Sequence, residues 1–268
     1  MPKYICETCG VQFANSNKAP MYCPICEDER QYIPITGQSW TSLKEMSLKY
    51  QNEFRKLESN LMGIATNPNF AIGQRAILLQ TKHGNILWDC ISYIDDETIQ
   101  GLEKLGGISA IAISHPHFYS SMVEWSKAFN NAPIYLHASN EKYVMQASPA
   151  IKYWDGNSKK LNDEVSLIRC GGHFTGSTVM HYSSAADGNG AIFTGDTITV
   201  VQDMRYVSFM RSYPNYIPLN AKSVKNIVTA LEPYKFDKIY GGWWNKVVKN
   251  DGKNIVSRSA ERYIKAIS

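Results

Sequence analysis

Two sets of side chains in this 268-residue sequence carry recognisable reactivity. The first is sulfur: Cys6-x-x-Cys9-Gly10 and Cys23-Pro24-x-Cys26, with thirteen residues between the pairs. A C-x-x-C turn aims two sulfurs and several backbone amides at one point, and two such turns supply the four thiolates that tetrahedral Zn²⁺ or Fe prefers. Gly10 accepts positive φ and Pro24 presets a turn φ, which suits tight knuckles. A redox dithiol or two disulfides are the alternatives. The second set is imidazole and carboxylate: His115-Pro116-His117, His173 and Asp196. An H-x-H pair leaving a strand sends both rings to the same side, where they can chelate one ion. His173 can add a third nitrogen and Asp196 a carboxylate. Three neutral imidazoles and one open position describe a hydrolytic Zn²⁺ site, which lowers the pKa of its water to near 7.

The elements that must position these groups follow from periodicity. Each mark falls where a strand-like run ends: Asp89 after 85–88, His115 after 108–114, His173 after Cys170-Gly171-Gly172, Asp196 after Phe193-Thr194-Gly195, and Trp243 after Gly241-Gly242. Strand-end loops are where an α/β scaffold gathers catalytic groups. Apolar steps of three and four at Leu43, Met46, Tyr50, Phe54, Leu57 and Leu61 predict a helix over 43–61. A hairpin is predicted over 75–81 and 85–89, and helices over 95–105, 121–129, 140–146, 219–231 and 254–267. Further strands are predicted over 108–114, 133–137, 164–170, 177–183, 191–194 and 238–241. This alternation indicates an α/β architecture. The stretch 204–218, with Arg205, Arg211 and Tyr213, reads equally as a lid and as a packed surface loop. His83, His137 and His181 stand alone and read as structural; Cys90 and Cys170 read as buried packing.

The first 32 residues resemble rubredoxin-type and zinc-ribbon knuckles, on the run Tyr4-Ile5-Cys6-Glu7-Thr8-Cys9-Gly10. A segment this short cannot fold on apolar burial, so a metal would supply its stability. From residue 33 to 268 the chain resembles the metallo-β-lactamase superfamily, an αβ/βα sandwich whose signature is a sheet-end Asp, H-x-H-x-D-H, a His, an Asp and a last His. Asp89, His115, His117, His173 and Asp196 match in that order. Tyr119 and Ser120 stand where the family has D-H, and Trp243 stands where the last His is expected. Those three departures fall on the second metal's ligands. The resemblance therefore implies one ion, Zn²⁺ or else Fe or Mn, held by His115, His117 and His173. Asp196 becomes a fourth ligand or the partner of a water, and Asp89 an outer residue that orients the loop. Tyr119 is either a donor to a developing oxyanion, a ligand, or packing. Trp243, Arg205 and Arg211 are the candidate substrate contacts, with the arginines suited to an anionic group.

The expected activity is that of a mononuclear hydrolase using a metal-bound hydroxide on a small ester, thioester, lactone or amide. Iron-dependent redox chemistry and a non-catalytic zinc-containing interaction module are the competing readings. With 44% hydrophobic and 19% charged residues the chain is a folded globule, not a disordered one. No run approaches the ~20 apolar residues that span a bilayer. The net charge of +4 is spread along the chain, which argues against a nucleic-acid partner. The N-terminus lacks the apolar core of a secretory signal, so a cytoplasmic, reducing setting is expected. The oligomeric state is left open.

Overall fold

The computed structural model describes all 268 residues. Two compact units are present: Met1–Leu136 with Glu141–Tyr153, and His137–Asn140 with Trp154–Ser268. No helix is long and apolar enough to cross a membrane.

In the first unit the strands are β1 (Lys3–Cys6), β2 (Gln12–Asn15), β3 (Trp40–Thr41), β4 (Gln51–Glu58), β5 (Leu61–Asn67), β6 (Arg75–Leu79), β7 (Ile86–Trp88), β8 (Ala110–Ala112), β9 (Ile134–His137) and β10 (Ile151–Trp154). The helices are α1 (Leu43–Met46), α2 (Asp96–Glu103) and α3 (Met122–Ala128). A three-stranded sheet runs β2-β1-β3 and a seven-stranded sheet runs β10-β9-β8-β7-β6-β5-β4. Every residue of β6 and β7 is buried, as befits central strands covered on both faces. They form the expected hairpin, and β7, β8 and β9 then run parallel. Helix α2 makes the crossover from β7 to β8; Asp95 caps it by accepting the Thr98 N–H at 2.8 Å.

The helix expected over 43–61 is corrected. Only Leu43–Met46 is helical, opened by Ser42, whose hydroxyl accepts the Glu45 N–H. The remainder is the antiparallel pair β4 and β5. β4 is the sheet edge, largely exposed and carrying Glu53, Arg55 and Lys56, so its three- and four-residue apolar spacing does not report burial. β5, with five buried residues of seven, supplies the pairing. The short helix expected over 140–146 is a 3₁₀ turn over Ala138–Tyr143.

In the second unit the strands are β11 (Ser158–Lys160), β12 (Val165–Arg169), β13 (Thr178–Tyr182), β14 (Ala191–Gly195), β15 (Thr199–Val200), β16 (Val207–Ser208), β17 (Met210–Ser212), β18 (Ile217–Pro218), β19 (Lys238–Gly241) and β20 (Val247–Val248). The helical elements are a distorted turn α4 (Ala185–Gly188), α5 (Ala221–Leu231) and α6 (Gly252–Ile267). A six-stranded sheet runs β11-β12-β13-β14-β19-β20, with β14 and β19 parallel. Val224, Ile227 and Leu231 of α5 and Ile255, Val256 and Ala260 of α6 bury against Ile168, Val179, Ile192 and Ile239 of this sheet.

The stretch 204–218 is not a lid. Its β16 pairs back onto β15, which precedes the stretch, and its β17 pairs with β18. Val207 and Phe209 lie in the core. The Val207 N–H donates to Ser259 Oγ and the Leu219 N–H to Tyr263 Oη, both on α6. Aromatic and branched residues in this run serve burial, which is why a packed loop prevails over a flap.

Candidate metal centres

All four knuckle sulfurs are buried. Cys6 ends β1, and the turn after it closes through Gly10 N–H to the Cys6 carbonyl at 2.9 Å. The Cys9 N–H donates to Cys6 Sγ at 3.4 Å, and the second knuckle folds Cys26 N–H and Glu27 N–H onto the Cys23 carbonyl. The Gln38 amide donates to Cys6 Sγ at 3.0 Å. Sγ–Sγ separations of 3.5 Å for Cys6 and Cys26 and 3.6 Å for Cys9 and Cys23 exceed the ~2.05 Å of a disulfide. They approach the edge of a tetrahedron built on ~2.3 Å metal–sulfur bonds. Donation from the Cys23 thiol first of all pulls Cys6 far down toward thiolate, while burial pushes Cys9 up. Four crowded sulfurs that share protons in this way fit a soft divalent cation.

The imidazole centre is assembled from strand ends. β7 and β8 are parallel, so their C-terminal ends share one sheet edge. Asp89 leaves β7 in a left-handed conformation, φ 61°, and its carboxylate accepts the Ser114 N–H at 2.8 Å. That bond fixes the start of the turn Pro116–Phe118 that separates His115 from His117. Both rings are buried, with centroids 5.3 Å apart. His173 sits in the β12–β13 loop, which closes through Cys170 and Gly171 N–H to the Ser177 carbonyl. Gly172 has φ 80°, and a Cβ there would stand 2.9 Å from Ile227, so only glycine fits.

His173 Nδ1 lies 3.0 Å from the Met210 carbonyl. A carbonyl only accepts, so Nδ1 carries the hydrogen and Nε2 keeps its lone pair for a ligand. That nitrogen is 3.8 Å from Asp196 Oδ1. Asp196 follows β14, its backbone carbonyl accepting from Tyr213 Oη at 2.7 Å, while Tyr213 Oη accepts from Thr199 Oγ1 at 2.5 Å. The Tyr213 ring packs on His173, with centroids 5.8 Å apart. The first unit thus offers the buried pair His115 and His117, and the second unit the buried pair His173 and Asp196. Three nitrogens and a carboxylate, one tautomer already set, fit a divalent ion.

The remaining candidates take different places. Tyr119 is fully buried, and burial pushes its phenol far above the ordinary range. Trp243, half-buried, lies in the loop after β19, whose Gly242 N–H donates to the Gly195 carbonyl beside Asp196. Arg211 is on β17, next to the Met210 that holds His173. Arg205 is exposed, pairs with Asp203 at 2.8 Å and gives its carbonyl to Arg258 of α6; a neighbouring carboxylate, not the centre, takes its charge. His83 is exposed. His137 bridges the Ser139 N–H and the Gly156 carbonyl, and His181 meets the Lys235 carbonyl, so both are structural. Cys90 and Cys170 are packed, and burial raises the Cys170 thiol to about 12. Sequence reasoning named Tyr213 only within a stretch read equally as a lid and as a packed surface loop, and missed the Met210 carbonyl, since no residue type advertises a backbone acceptor.

No model of a known protein family matches the sequence. Among solved structures, the DIM-1 metallo-β-lactamase exposed to ceftazidime is similar with a TM-score of 0.60 and 13% identity, over 81% of this chain and 98% of that one. A metallo-β-lactamase from Pontibacter korlensis is similar with a TM-score of 0.57 and 12% identity, over 80% and 99%. These likenesses establish the fold. The uncharacterized protein YmaE of Bacillus subtilis (strain 168) is 49% identical over 270 residues, spanning all of this chain and 98% of the relative. The chain has the metallo-β-lactamase fold and belongs to the same family as YmaE.

Proposed function

We propose that the protein is a mononuclear metal-dependent hydrolase acting on a small carbonyl substrate, an ester, thioester, lactone or amide. The observation that carries this reading is two buried half-sites, His115 with His117 in the first unit and His173 with Asp196 in the second, which together offer the donors that a divalent ion takes. A divalent ion bound there, for which Zn²⁺ is the best fit, supplies Lewis acidity and brings the pKa of a ligated water near neutrality. The three histidines hold the ion through neutral nitrogens, and the Met210 carbonyl keeps His173 in the ligating tautomer. Asp196 orients a water or takes its proton; its turn is held by Tyr213.

A single ion is supported by what stands at the positions of the family's second site. Ser120 is engaged on every side: its hydroxyl donates to the Cys90 carbonyl and accepts from Gln74, and its carbonyl accepts the Gln12 N–H. Tyr119, fully buried, stands where the family has the Asp and supplies a phenol instead of a carboxylate. Trp243 and Arg211 are the substrate-side groups, with Arg211 meeting an anionic substituent. The knuckle holds a second Zn²⁺ with a structural role.

Elemental analysis of untagged protein, followed by turnover assays over esters, thioesters, lactones and amides, tests this reading. Two equivalents of Zn and a turnover abolished in His115→Ala are expected. Iron in a red sample points to redox chemistry instead. Full metal loading with no turnover across the panel sinks the hydrolase and leaves an interaction module.

A further inference from the structure

We propose that the cysteine knuckle is a positioning element of the imidazole centre, clamping the segment 114–122 that carries His115 and His117. The inference rests on the reading of both clusters as metal sites. The contacts are specific. The Gln12 N–H, six residues' reach past Cys6, donates to the Ser120 carbonyl at 3.0 Å, three residues beyond His117. Ser92 Oγ donates to the Gly10 carbonyl at 2.7 Å, and the Ser92 carbonyl accepts from Ser121 Oγ at 2.7 Å. Ser92 thus ties the Cys9–Gly10 turn and the far end of the histidine loop into one ring of bonds.

The seam is tight at Gly10. Gly10 has φ 83°, and a Cβ there would stand 2.5 Å from Ser92 Oγ, 3.3 Å from Ala71 and 3.8 Å from Ser120 Oγ. Ser120 itself is held at φ 47°, a conformation that a non-glycine residue keeps only when its surroundings impose it. Gln74 and the Cys90 carbonyl hold its hydroxyl from one side and the knuckle holds its carbonyl from the other. Val11 and Gln12 line a small cavity with Tyr119 and Ser120, so the knuckle also closes the back of the residue two positions from His117. Two further ties fix the seating: Ile5 buries with Met46, Phe70 and Tyr93, and Lys3 pairs with Glu124 of α3.

The knuckle buries too little apolar surface of its own to fix its turns tightly, so a bound ion would add to the docking contacts in holding them. A metal held by Cys6, Cys9, Cys23 and Cys26 would thereby order Gly10 and Gln12, and through them Ser92, Ser120 and the two histidines. Linkage makes the effect mutual: an ion at the imidazole centre strengthens the knuckle by the same factor.

The test uses the full chain, with Zn²⁺ dissociation constants from competition with a chromophoric chelator and hydrogen exchange over 114–122. In the Cys23→Ser/Cys26→Ser double variant, binding at the imidazole centre should weaken about tenfold or more, within the usual 5–150-fold range of site coupling. Exchange over 114–122 should accelerate. Ser92→Ala keeps every ligand and should weaken the same centre several-fold; it decides the question if the double variant fails to fold. Affinity and exchange within twofold of wild type in a folded variant would overturn the proposal. If the wild-type chain binds only one equivalent of Zn²⁺, the hydrolase reading fails, and this proposal is judged by the exchange of 114–122 alone.

Discussion

Tyr213 donates a 2.7 Å hydrogen bond to the backbone carbonyl of Asp196 while its ring packs on His173, so one side chain supports two of the four candidate ligands. Its phenol also accepts from Thr199, which closes the turn after β14. Tyr213→Phe keeps the ring and deletes both bonds. Outer partners of this kind commonly govern metal affinity by ten- to a hundredfold. The expected result is a drop of about tenfold in Zn²⁺ affinity at the imidazole centre, read by chelator competition.

Asp89 combines a left-handed backbone with a carboxylate bond to the Ser114 N–H. Asp89→Ala removes a bond to a charged group and puts alanine at φ 61°, which together cost about 3 kcal/mol. Asp89→Asn retains an acceptor and a residue tolerant of that φ, so denaturant unfolding should show a much smaller loss. Equal losses in the two variants would contradict the assigned role.

Burial lowers the pKa of both His137 and His181 below the ordinary value of 6.5. The folded state therefore binds these protons less readily than the unfolded chain does. Their contribution to stability is fully present above pH 6.5 and is lost as pH falls through the lowered folded values. Urea midpoints at pH 7.5 and 5.5 should separate more for wild type than for His137→Gln, which removes one of the two groups.

Metal removal should destabilise the chain measurably. An ion bound only by the folded state adds about 2.7 kcal/mol when its concentration is 100 times the dissociation constant. Chelator-treated protein should melt at a lower temperature, with loss of the first unit's tertiary signal, and excess Zn²⁺ should restore the melting curve. An unchanged melting temperature after complete removal of metal would show that neither cluster holds a structural ion.

The chemistry-bearing residues were legible along the chain because each is announced locally. Cys-x-x-Cys turns, an H-x-H pair at a strand end, Gly171-Gly172-His173 and Thr194-Gly195-Asp196 are short-range patterns, and the buried strands β6, β7, β12, β13 and β14 that deliver them are apolar runs. The edge pair β4 and β5 was not legible, since an exposed edge strand carries no burial period and its charged residues sit as well on a helix. Nor was the shell around the ligands. The Met210 carbonyl meets His173 across 37 residues, Ser92 meets Gly10 across 82, and Arg205 turns away to Asp203. Residue type and spacing encode which atoms can bind a metal; strand register and backbone direction, set by the packing of distant segments, choose which carbonyl and which hydroxyl hold them in place.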